Sequence, residues 1–81
     1  MDTSKAREIN ETLKEATAIT VMRYMLTQYA RDHQVSFEEA LLQFSRSKTY
    51  NGLFDYETAI WKEGPDYLRG LYDEERALLV R

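Results

Sequence analysis

A chain of 81 residues with a formal net charge of −3 is long enough for one domain and no more. It has no cysteine, which excludes disulfides and thiolate metal sites, and its single histidine leaves little for metal or nucleophilic chemistry. Eleven scattered Lys and Arg against fourteen Asp and Glu do not make the clustered basic surface of a nucleic-acid module, while 43% apolar and 12% aromatic content argue for a packed core over disorder.

One proline and three glycines mark few turns, and apolar residues recur at helical spacing throughout. The expected fold is all-α: a single domain over residues 1–81, built as a small bundle of four to five helices. A long N-terminal helix is followed by short helices in the C-terminal half. A chain this short buries only about 60% of its unfolded surface, so self-association is a natural supplement. No apolar run approaches the length of a membrane span, and the polar start Met1-Asp2-Thr3-Ser4-Lys5 does not have the shape of a signal peptide; a cytoplasmic protein is expected.

The first helix is predicted from about Ser4, as its cap, to about Asp32. At 1.5 Å per residue it would be roughly 43 Å long, against a diameter of about 30 Å for a compact domain of this size. It carries two apolar stripes. Ala6, Ile9, Leu13 and Ala16 form a heptad-like one. Ala18, Met22, Met25 and Tyr29, flanked by Val21 and Leu26, form a wider one that should be the central core helix. At 100° per residue the stripes point in nearly opposite directions. Either the helix breaks in the β-branched run Ala16-Thr17-Ala18-Ile19-Thr20, or residues 1–16 are an arm that meets a different partner.

The second helix opens on the capping box Ser36-Phe37-Glu38-Glu39, with Val35 and Ala40 placed for a hydrophobic staple, and ends near Arg46. Phe37, Ala40, Leu41 and Phe44 line its inner face. Ser47 or Thr49 caps a short helix with Tyr50, Leu53 and Phe54, although Asn51-Gly52 also reads as a turn. Asp55 caps another short helix with Ala59, Ile60 and Trp61, stopped by Gly64-Pro65. Pro65 or Asp66 starts the last helix, whose inner face is Leu68, Leu71, Tyr72, Leu78 and Leu79. Glu75 lies along that apolar side and is expected to reach a rim tyrosine or arginine. The expected core is Val21, Met22, Met25, Leu26, Tyr29, Phe37, Leu41, Phe44, Leu53, Phe54, Ile60, Trp61, Leu68, Leu71 and Leu78.

Chemistry is poorly provided for. Asp32 and His33 are adjacent and do not face each other as a base and its orienter; His33 reads as a helix C-terminal residue beside orphan carbonyls. The acidic pairs Glu38-Glu39 and Glu74-Glu75 diverge on their helices, and no Gly-rich phosphate loop exists. No catalytic residues, metal, cofactor or small-molecule substrate are therefore expected, and the protein is not expected to be an enzyme. A helix-turn-helix reading takes residues 37–56, with Arg46 and Lys48 touching phosphates, but the reading helix would carry a glycine and no further basic residue. Tyr50, Phe54, Tyr56, Trp61, Tyr67 and Tyr72 crowd into a short stretch, as core filling or as a groove rimmed by hydroxyls.

The order Ser47-Lys48-Thr49-Tyr50, Leu53-Phe54-Asp55, Glu57-Thr58, Trp61 to Leu68 and Glu74-Glu75 resembles small uncharacterised helical bacterial proteins, some encoded in clusters suggestive of toxin–antitoxin pairs. No catalytic residue comes with that resemblance. The expected function is non-catalytic protein–protein interaction or self-association, most simply as a homodimer. It would use the stripe Ala6, Ile9, Leu13 and Ala16, with Tyr50, Tyr56, Trp61 and Tyr67 as further partner-binding residues. The alternative is a small DNA-binding regulator or antitoxin-like protein acting through Arg46 and Lys48.

Overall fold

The computed structural model describes residues 3–79, with side chains described from residue 10 onward. Four α-helices follow one another: α1 (Thr3–His33), α2 (Phe37–Ser45), α3 (Lys48–Phe54) and α4 (Pro65–Leu79). Two single 3₁₀ turns, Tyr56–Thr58 and Ile60–Lys62, join α3 to α4. There is no strand among the described residues.

Helix α1 is continuous through the threonine-rich run, so of the two alternatives the break is the one that does not occur. Burial of Ala18 and Val21 against the core holds the helix through this run, and the threonines are accommodated within it. The hydroxyls of Thr17, Thr20 and Thr27 donate to the carbonyls of Leu13, Ala16 and Arg23 at 2.9, 2.9 and 2.8 Å. Each β-branched side chain thereby finds a partner one turn back and stays in the helix. Helix is already present at Thr3, which puts Ser4 inside α1 and not ahead of it as a cap. At about 46 Å, α1 runs most of the 52 Å length of the molecule.

Its C-terminus is a Schellman turn. Gln34 takes a left-handed conformation (φ 57°), its amide donates to Arg31 O, and the Val35 amide reaches back to Ala30 O at 3.0 Å. The capping role of Ser36 is as expected, with Oγ accepting the Glu39 amide at 3.0 Å. Val35 and Ala40 both pack into the core there.

The wider stripe of α1 is the centre of the core. Ala18, Val21, Met25, Leu26, Tyr29 and Ala30 are buried against Ala40 and Phe44 of α2, Leu53 of α3, and Leu68 and Tyr72 of α4. Met22, Phe37, Leu41, Phe54, Ile60 and Trp61 are partly buried around it. Leu78 is not in the core: it is 62% exposed, on the rim of an open groove that it shares with Lys48, Thr49 and Gly52 of α3. Gly52 sits inside α3 and marks no turn; Ile60 Cδ1 lies 3.1 Å from where its Cβ would be, so the glycine admits close packing of the second 3₁₀ turn. The single helix expected after Asp55 is two 3₁₀ turns instead, divided at Ala59, which is left-handed (φ 61°).

Candidate functional site

Helix α3 is too short to stand alone, and tertiary contacts hold its start. Ser47 Oγ donates to Phe44 O at 2.6 Å and accepts the Tyr50 amide at 3.0 Å. The carboxylate of Glu75 on α4 accepts the Lys48 amide at 2.9 Å, the Thr49 amide at 2.8 Å and the Thr49 hydroxyl at 2.6 Å. Glu75 therefore caps a neighbouring helix and does not reach a rim tyrosine or arginine. Partial burial pushes its pKa up, but the hydrogen bonds from Thr49 and Lys48 outweigh this and hold it below the ordinary glutamate range.

The aromatic residues divide between core and surface. Tyr29, Tyr72, Phe44, Tyr50 and Phe54 form one ladder, with successive ring centroids 5.1, 5.0, 5.7 and 4.9 Å apart. Tyr50 is thus half-buried between two phenylalanines. Trp61 donates from Nε1 to Tyr56 O at 3.1 Å, and the Lys14 and Lys62 ammonium groups lie 5.8 and 5.7 Å from its ring. Tyr67 is exposed at the start of α4. The four aromatic residues singled out from the sequence do not converge on one groove.

His33 closes α1 and stacks on Tyr29, with ring centroids 4.0 Å apart. Arg69 covers the same tyrosine at 5.1 Å and is fixed by Asp32 at 2.9 Å, Asp73 at 3.0 Å and Gln28 at 3.2 Å. This cluster ties α1 to α4. Asp32 engages the arginine, so it is not the orienting partner of His33. No group of residues suited to hold a metal ion occurs among the described residues, and no helix there is long and apolar enough to cross a membrane.

Arg46 and Lys48 are exposed on either side of the buried Ser47, Arg46 in the short link after α2 and Lys48 as the first residue of α3. A second surface is the open groove of about 440 Å³ between α3 and α4, where Ile60, Leu71 and Leu78 meet Gly52 and the aliphatic edge of Lys48.

The most distinctive surface is the outer face of α1, opposite its core stripe. Ala6 and Ile9 of the expected stripe lie outside the described side chains. Leu13 and Ala16 are exposed, Leu13 at 60%. The same face continues through Thr20, Arg23, Tyr24 and Thr27, bordered by Asn10, Thr17 and Ile19, all exposed. In a protein of 31% charged residues, Arg23 is the only charge on this face between Asn10 and Thr27. Glu11 and Glu15 lie on the other side, near Tyr56, whose pKa is raised by burial and by those two carboxylates. Thr17, Thr20 and Thr27 spend their hydroxyl protons inside α1 and offer methyl groups outward. Covering them orphans no donor.

Thr20, Arg23, Tyr24 and Thr27 also bound a shallow hollow of about 390 Å³. The polar residue types hid this half of the face from a reading based on apolar stripes; the signal available was the unbroken three-four spacing from Leu13 to Thr27. Comparison with models of protein families, with curated proteins and with solved structures gives no match.

Proposed function

We propose that this chain is a non-catalytic protein–protein interaction module that works by laying the outer face of α1 against a helix of another chain. One observation carries the reading: over residues 10–27 that face is exposed, nearly free of charge and hollowed between Arg23 and Tyr24. Exposed apolar side chains grouped on one face mark an interaction surface, and this face groups Leu13, Ile19 and Tyr24 with a single charge. Covering its three threonines strands no donor, because their hydroxyls already donate within the helix.

The nucleic-acid reading has less behind it. A phosphate approaching Arg46 and Lys48 would seek the free amides at the start of α3, and the Glu75 carboxylate already occupies them.

The test is the native size of the protein in a gently prepared lysate of the cells that make it. The wild type is expected to elute in a complex larger than one chain, and Thr20→Glu at the size of one chain. Thr20 is exposed and glutamate is a better helix former, so this variant keeps the fold. A wild type that elutes as a bare single chain contradicts the proposal.

A further inference from the structure

We infer that the helix received by the outer face of α1 is the α1 of a second copy, running antiparallel, with Leu13 of each chain seated in the hollow of the other. The inference rests on the interaction reading above and names its partner.

Thr20, Arg23, Tyr24 and Thr27 stand at i, i+3, i+4 and i+7. That is the set of four that forms a hole for one side chain of a facing helix. Its rim offers the Thr20 and Thr27 methyl groups and the Tyr24 ring, so a side chain that is apolar and projects freely finds contact there. Leu13 is both, 60% exposed on the same face. A single surface that carries both a knob and a hole is self-complementary under a two-fold axis, the arrangement of an isologous dimer.

The register follows from the spacing. Leu13, Thr20 and Thr27 share one heptad position, and Ala16 and Arg23 the other. Antiparallel pairing sets Leu13 opposite the second copy's Arg23 and Ala16 opposite its Thr20, with the axis level with Ala18. Ala18 itself faces the core and is fully buried. The smallest side chains, Ala16 and Thr20, then meet at the centre, where the helices approach most closely. Ile19, exposed on the flank, meets its own counterpart, and the long stem of Arg23 lies along Leu13 with its charge free to reach water. Parallel pairing in register would instead press Arg23 against Arg23, the only charge on the face against itself.

The wild-type chain has no cysteine, so single-cysteine variants read orientation directly. Purified Ala16→Cys and Thr20→Cys chains are oxidised separately and as an equimolar mixture. A disulfide needs Cα atoms within about 7 Å. In the antiparallel pair only the 16–20 combination meets this, because two copies of residue 16 are offset by about 6 Å along the axis beyond the interhelix distance. The expected result is a cross-linked dimer from the mixture at least tenfold in excess over either variant alone, and a further tenfold loss when Leu13→Ala is added to both chains. Efficient self-linking of Ala16→Cys would show a parallel pair and overturn the inference while leaving helix docking intact. No linking in any combination, with the wild type a monomer at millimolar concentration, would exclude a second copy as the partner. The docking reading would then be judged by the complex size in cells.

Discussion

Glu75 on α4 and Thr49 on α3, 26 residues apart in the chain, are joined twice: one carboxylate oxygen takes both the amide and the hydroxyl of Thr49. Its other oxygen takes the Lys48 amide. The first turn of a seven-residue helix is thus closed by a side chain from another helix. Glu75→Gln should lower stability by about 1–2 kcal/mol at neutral pH, the usual loss when a charge-assisted cap is weakened. Urea unfolding of the two proteins checks this.

The same contact sets a pH dependence. The folded-state pKa of Glu75 lies below its unfolded value of about 4.3, held down by Thr49 and Lys48 against the opposing effect of burial. Its stabilisation is therefore complete above the unfolded value and is lost as pH falls through the folded one. The gap in stability between wild type and Glu75→Gln should be constant from pH 8 to about pH 5 and shrink below about pH 4. A gap that widens on acidification contradicts the capping role.

Tyr72 is fully buried at the centre of the aromatic ladder, and its hydroxyl has no hydrogen-bond partner among the described residues. Burial, with Tyr29 beside it, also raises its pKa. Tyr72→Phe removes an uncompensated polar group and leaves the ring contacts in place. The expected outcome is unchanged stability or a gain of up to about 1 kcal/mol. A loss of more than about 1 kcal/mol would mean that the hydroxyl is satisfied.

Gln34 and Ala59 both hold positive φ, at 57° and 61°. Left-handed backbone costs a residue with a side chain about 1–2 kcal/mol, part of which glycine returns as extra freedom in the unfolded chain. Gln34→Gly and Ala59→Gly should each raise stability by about 0.5–1 kcal/mol, and their gains should add because the sites lie on separate turns. Thermal unfolding of the single and double variants measures this.

The parts of this fold legible in the sequence are those governed by near neighbours. The α1 core stripe follows from three-four spacing, the start of α2 from a serine three residues before a glutamate, and the start of α4 from Gly64-Pro65. What escaped depends on distant partners. Asn51-Gly52 reads as a turn until Ile60 is seen lying on Gly52. Glu75 reads as a rim residue until the start of α3 is placed under it. Leu78 fits an inner-face period, but periodicity does not reveal that the groove beside it stays open. The candidate site was half legible: Leu13 and Ala16 stood out as apolar, whereas Thr20, Arg23, Tyr24 and Thr27 belong to neither apolar stripe. The internal hydrogen bonds of the threonines and the hollow between the four residues become visible only in the fold.

Sedimentation equilibrium of the purified wild type and Thr20→Glu from micromolar to millimolar concentration tests the central claim most directly. The wild type should move from 9.6 kDa towards twice that mass. Thr20→Glu should remain at the single-chain mass throughout. A wild type that stays at the single-chain mass up to millimolar concentration, or a Thr20→Glu variant that pairs as well as the wild type, would contradict pairing through the outer face of α1.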